Sequence, residues 1–326
     1  MNGLKRKLGG KQGTAVDFVT KYGISIIFVA MVIVFSSMNP IFLSFANFSN
    51  LMYSTAANGI ALIGVALVII SGGMDISVGS IMFGAGCVTV LLGNMGLPVP
   101  VVLLLAILLG GVMGMFNGYL ISKWKMVPLM VTLATTALFR GVMLYTINEG
   151  YLPFKTHDFT ALIVETKLLG IPVSVYVFVA LILLFQQVLT KTKFGWHLLA
   201  IGNNVDACRK IGINVQKMQF AVYTLNGLLA GLAGFILVGM IGEISPTFAT
   251  GGEFTMITGA VLGGVALSGG KGSIFPGAFI GALMIFTIEN GLNIISANPY
   301  AYTIVRGVVI FIAVALSSIK YEGEIR

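Results

Sequence analysis

The stretch NGIALIGVALVIISGGMDISVGSIMFGAGCVTVLL, Asn58 to Leu92, is two apolar runs divided by a short polar break, and Asp75 is its only charged residue. A helix rises about 1.5 Å per residue, so about 20 apolar residues cross the roughly 30 Å of hydrocarbon in a bilayer. By that measure the run ending at Ile70 is a membrane helix. The run after it, 77–92, is short enough to be broken, tilted or partly re-entrant. The break itself, SGGMDISVGS from Ser71 to Ser80, is richer than a hairpin needs. Its glycines release the chain from helix, and Asp75 and Ser77 can cap and start a new one. Polar backbone at membrane depth is tolerated only against protein or beside a water-filled path. Gly72, Gly73, Asp75, Ser77, Gly79 and Ser80 are therefore candidates to line or gate such a path; an ordinary capped turn is the other reading of the same residues.

Outward from this stretch the composition stays of one kind. Of 326 residues 57% are hydrophobic and 9% charged, with a mean hydropathy of +0.99, against roughly a quarter charged in a soluble domain. That is too little charge for a polar shell, so lipid covers the outside and the fold class is an all-α polytopic membrane protein. Length, glycine, proline and charge divide the chain into about ten spans: 22–38, 51–70, 77–92, 99–121, 127–145, 173–189, 218–241, 256–267, 275–289 and 301–317. The third, eighth and ninth are short. With the N-terminus cytoplasmic, the inside segments hold Lys5, Arg6, Lys7, Lys11, Lys21, Lys123, Lys125, Lys191, Lys193, Arg209, Lys210, Lys217, Lys271, Lys320 and Arg326. Outside loops hold Lys155 and Lys167, while Arg140 and Arg306 lie within spans. One missed span would invert every later loop and spoil this bias, so both termini are expected inside. The basic segment 1–21 precedes a single membrane domain, 22–317, and 318–326 forms a cytoplasmic tail. The apolar run after residue 21 lacks a small-residue cleavage site and reads as a retained first helix.

The net charge of +8 follows this inside bias, so nucleic acid is not an expected partner. Cys87 and Cys208 fall on opposite sides of the pattern, which argues against a disulfide, and no metal-binding arrangement is present. His157 and His197 lie in loops without a nucleophile or paired carboxylate, and SGGKGS (Ser268 to Ser273) lacks the spacing of a phosphate-binding loop. The chain is read as neither an enzyme nor an ATPase, and no cofactor is expected. Ionisable groups within spans are scarce; Arg140 sits in the outer half of the fifth, and Glu289 and Arg306 are close enough in depth to pair. GGVMGMFNG (Gly110 to Gly118) and LNGLLAGLAG (Leu225 to Gly234) place small residues at close-packing spacing and are assigned to helix contact. SGG at Ser71 has a weak echo in SGG at Ser268.

The inside segment 190–217 is the most informative loop. Asn203 or Asn204 can cap a helix, Asp206 falls in its first turn, and Arg209 and Lys210 precede Gly212. A short surface helix, suited to docking, is expected.

At SGGMDISVGS the sequence resembles the monosaccharide permeases of the ribose-type ATP-binding-cassette importers. The resemblance continues through TLATTALFRGV (Thr132 to Val142), KTKFGWHLLAIGNN (Lys191 to Asn204), GINV (Gly212 to Val215), TLNGLLAGLAG (Thr224 to Gly234), SPTFATGGEF (Ser245 to Phe254), GAVLGGVALSGGKGSI (Gly259 to Ile274) and ENGLNII (Glu289 to Ile295). It implies a ten-helix permease of the kind shared with cobalamin importers, a homodimer in the bacterial inner membrane, working with a cytoplasmic ATPase and an extracytoplasmic sugar-binding protein. In that family the inside loop before the seventh span is the coupling segment, so Asn203, Asn204, Asp206, Arg209, Lys210 and Gly212 would seat on the ATPase. The chain departs from the family pattern on the outer side, with Glu253, Phe254 and Thr255 in place of Glu-Leu-Asp and Glu289, Asn290 in place of Asn-Asn. Glu253, Glu289, Asn290 and Arg306 are the outer-side candidates. A stand-alone channel or facilitator for a small polar solute is the alternative.

Overall fold

The computed structural model describes residues 26, 28–148, 150–155, 166–298, 300–305, 307, 308 and 311. The expected segments 1–21 and 318–326 lie outside these. Helix α1, Phe28–Met38, is followed by a short 3-10 turn, Pro40–Leu43, and by α2, Phe45–Ile70. Then come α3 (Val78–Asn94), α4 (Val99–Lys123), α5 (Pro128–Thr146), α6 (Val173–Lys191), α7 (Lys193–Asn203), α8 (Val205–Lys210), α9 (Val215–Ile241), α10 (Gly252–Leu262) and α11 (Phe279–Ile294). A five-residue π turn, Ile274–Ala278, containing the cis Phe275–Pro276 bond, leads into α11. Residues 300–305 are helical. Two short ladders supplement the helices: Leu152–Pro153 with Glu243–Ile244, and Lys167–Leu168 with Ile171–Pro172.

Six described helices are long and apolar enough to cross a membrane: α2, α4, α5, α6, α9, and α11 taken with its π turn. Helices α1, α3 and α10 are apolar but shorter. The 11 residues of α10 extend only about 16 Å at the helical rise, half of a bilayer core.

Helix ends follow capping chemistry rather than hydropathy. α2 begins at Phe45, six residues before the apolar run, because the Ser44 hydroxyl accepts from the Asn47 amide at 3.2 Å. α9 begins at Val215 because Asn214 accepts from the Lys217 amide at 2.9 Å. α10 stops at Leu262, short of the expected 267, where Gly263 caps it and Gly264 turns left-handed at φ +84°.

α2 and α9 form the centre. α2 is apolar all round and buried along most of its length, as a helix enclosed by others must be. α9 crosses it at Gly64, whose hydrogens face Asn226. α4 runs antiparallel to α9 in close backbone contact: a Cβ on Gly110 would meet the Gly227 carbonyl, one on Gly114 the Tyr223 carbonyl, and one on Gly118 the Phe220 carbonyl at 3.0 Å. The two glycine runs assigned to packing thus face each other, and their missing side chains let the backbones touch.

Candidate functional site

The chain leaves helix at Ser71 and re-enters it at Val78, and the residues between are held from three sides. Asp75 is fully buried. One carboxylate oxygen accepts from the Ser77 amide at 2.7 Å and the Ser77 hydroxyl at 2.6 Å; the other accepts from the Asn226 side-chain amide of α9 at 2.8 Å. Asn117 of α4 donates to the Ser77 hydroxyl at 2.8 Å, and Tyr223 of α9 donates to the Met74 carbonyl at 3.1 Å. Ser80 donates to the Thr136 carbonyl of α5 at 3.0 Å. Gly73 leaves room for the Tyr223 hydroxyl, which would lie 2.7 Å from a Cβ there. This network anchors an interrupted helix inside apolar surroundings, where unpaired backbone is expensive. The side-chain Oδ1 atoms of Asn117 and Asn226 are buried without a hydrogen-bond partner. The sequence reading missed both asparagines; their signal was a lone amide inside an otherwise small and apolar helical run.

The start of α3 meets the start of α10. A Cβ on Gly79 would lie 2.5 Å from the Glu253 carboxylate and 2.7 Å from the Ala249 carbonyl, so glycine is required for this approach. Both helices thus begin within the bundle with their positive ends toward one acidic side chain. Arg140 of α5 braces the segment leading to α10: it donates to the carbonyls of Pro246 at 3.0 Å and Phe248 at 3.1 Å, with its guanidinium 4.8 Å over the Phe83 ring. Glu289 accepts from the Thr255 hydroxyl at 3.1 Å. Asn290 exchanges two hydrogen bonds with Asn47, at 2.9 and 3.0 Å, joining the end of α11 to the start of α2. Arg306, and with it the expected pairing to Glu289, lies outside the described residues.

The third cluster joins segments far apart in sequence. The Gly270 amide donates to the Ile70 carbonyl at the end of α2, at 2.9 Å. A Cβ on Gly202 would strike both that carbonyl and the Gly270 amide, and one on Gly269 would lie 2.8 Å from the Gly72 Cα. Gly72, Gly269 and Gly270 all have left-handed φ, at +79°, +82° and +74°. The two SGG segments therefore meet each other at the end of α7. Asn203 donates to the Gly270 carbonyl at 3.2 Å, and Gln186 of α6 accepts from the amides of Ile274 and Phe275, both at 2.9 Å.

Beyond this junction the 190–217 loop contains two helices rather than one. Asn204 caps α8 by accepting from the Ala207 amide at 2.9 Å, Asp206 in the first turn pairs with Arg209 at 3.2 Å, and Lys210 lies in the last turn. Gly212 follows at φ +83°. α7 was not read from the sequence; Thr192 starts it by accepting from the Gly195 amide at 3.3 Å. Cys87 and Cys208 are both free and buried. Among the described residues no group of three or more His, Cys, Asp or Glu comes together as a metal site would require.

A family described as branched-chain amino acid transport system / permease component matches residues 47–314. The ribose import permease protein of Escherichia coli (strain K12) is 35% identical over 297 residues, covering 90% of this chain and 92% of that one. The ribose import permease protein of Bacillus subtilis (strain 168) is 37% identical over 291 residues, 89% of this chain and 90% of that one. The L-arabinose transport system permease protein of Escherichia coli (strain K12) is 32% identical over 305 residues, 93% of this chain and 92% of that one. No solved structure matches.

Proposed function

The chain belongs to the branched-chain amino acid transport system / permease component family, and from that premise we propose that it is the membrane permease subunit of an ATP-binding-cassette importer for a small, ribose-like sugar. The likeness to ribose and arabinose permeases over nine tenths of the chain supports the substrate class. In this reading the chain forms ten spans in a cobalamin-importer-type fold, with both termini cytoplasmic and a second copy across a central pathway. It resides in the bacterial inner membrane, receives sugar from an extracytoplasmic binding protein and leaves ATP hydrolysis to a separate subunit.

The observation that carries the mechanism is the glycine junction. α8 is the element offered to the ATPase, through Asn203, Asn204, Asp206, Arg209, Lys210 and Gly212. α7 ends against Ile70 and Gly270 without intervening side chains. A push on α8 is therefore delivered to the end of α2 and to the segment before α11 together, because packed backbone transmits displacement without absorbing it in rotamers. The break at Gly72, Gly73, Asp75, Ser77, Gly79 and Ser80 is then the moving part of the pathway, with Glu253, Glu289, Asn290 and Arg306 on its outer side.

The test is uptake of labelled ribose into vesicles holding the permease, its ATPase and its binding protein. Arg209→Glu with Lys210→Glu removes ATP-dependent uptake and ATPase co-purification while the permease remains folded. Uptake by the permease alone, with no ATPase, sinks the importer and establishes a facilitator.

A further inference from the structure

At the end of the bundle that carries Lys123, Lys125, Arg209, Lys210 and Lys217, a cavity of about 460 Å³ opens between the α4–α5 turn and the start of α9. Its volume falls in the range of small-ligand pockets, roughly 300–1,000 Å³. Its polar lining comes from Ser122, Lys125, Arg209, Asn214, Gln216 and Gln219, and no acidic side chain lines it. Arg209, which lines the cavity, also bonds Asp206, which does not. Lys125 is held in a left-handed backbone conformation, φ 55°. The 27-residue α9 begins here, so its positive end adds to the two cations.

The chain on either side of Lys125 has the opposite character. Trp124, Met126, Val127, Leu129 and Met130 are all exposed, with Trp124 at 64% and Met130 at 68%. An aromatic and basic turn followed by exposed apolar residues is the signature of the membrane–water boundary. We propose that this cavity binds the phosphate-bearing head group of an anionic membrane phospholipid. Lys125 and the positive end of α9 meet the phosphate, Gln216, Gln219 and Asn214 meet the polar head, and the acyl chains lie along Met126, Val127, Leu129 and Met130. A soluble anion would make no use of those exposed apolar residues, and basic pockets between membrane helices suit lipid head groups on electrostatic grounds.

Trp124 is one of only two tryptophans, so Trp196→Phe makes it a local reporter. The full chain, with that substitution, is placed in bilayers with brominated phosphatidylglycerol or brominated phosphatidylcholine, and quenching of Trp124 gives their relative affinities. Phosphatidylglycerol is preferred, and Lys125→Gln lowers the preference about fivefold, the effect of one cation near an anionic surface. Lys155→Gln, which removes a cation far from the cavity, leaves the preference and the fold unchanged. Equal quenching by the two lipids overturns the proposal, as does an undiminished preference in Lys125→Gln. Loss of the preference in excess inorganic phosphate assigns the cavity to a free anion instead. A Lys125→Glu protein that keeps its lipid preference but no longer co-purifies with the ATPase assigns it to an acidic side chain of that subunit.

Discussion

Asp75→Ala tests whether the buried carboxylate is what permits the break between α2 and α3. In the folded protein the carboxylate takes hydrogen bonds from the Ser77 amide, the Ser77 hydroxyl and the Asn226 side chain. The hydroxyl can turn to another acceptor, but the Ser77 amide and the Asn226 NH2 group are left buried and unpaired. Each such group costs about 1–3 kcal/mol, so the loss is about 2–6 kcal/mol. Asn226→Ala removes one donor to the carboxylate and costs about 1.5–3 kcal/mol. Because both substitutions break the same bond, the double variant is less destabilised than the sum of the two by about 1 kcal/mol or more. Cys87 and Cys208 are buried and free, so a thiol-reactive fluorophore reports unfolding in detergent without an introduced cysteine. A wild-type midpoint for Asp75→Ala, or strict additivity in the double variant, refutes the argument that this pair holds the break.

Three further outcomes follow from close contacts. Gly114→Val drives a side chain into the Tyr223 carbonyl, parts α4 from α9 and costs about 1–3 kcal/mol in the same thiol assay, whereas Gly141→Ala, inside α5 with nothing within 4 Å of the new carbon, does not destabilise. Gly202→Ala separates α7 from Ile70 and Gly270, so ATP hydrolysis by the assembled importer continues while sugar uptake falls about tenfold or more; tight coupling in that variant removes the junction from the mechanism. Arg140→Gln loses two charge-assisted bonds, worth about 1.5–3 kcal/mol each, to the Pro246 and Phe248 carbonyls, and hydrogen exchange rises in residues 245–251.

Much of this structure was legible where one local rule governs. Asp206 in the first turn of α8 and Gly212 after it are nearest-neighbour chemistry and read directly, while the cap, open between Asn203 and Asn204 in the sequence, is Asn204. The glycine runs of α4 and α9 announced helix packing through spacing, but not that each packs on the other. Where hydropathy was used to set helix ends it failed, because lipid contact and capping are separate demands: Phe45 to Asn50 are helical by virtue of Ser44 yet outside the apolar run. The partners of Asp75 could not be read, since nothing near Asn117 or Asn226 in sequence requires a carboxylate. The SGG echo carried real information, but only folding shows that each copy fills the gap left by the other's missing side chains.

The exchange between Asn47 and Asn290 also decides how this end of the bundle responds to its surroundings. Neither amide gains or loses a proton over the range in which carboxylates and imidazoles do, and neither carries a charge for dissolved ions to screen. A carboxylate–lysine tie at that place would loosen in acid and weaken in brine. The attachment of α2 to α11 is thus indifferent to acidity and salinity, whatever the solution that bathes it.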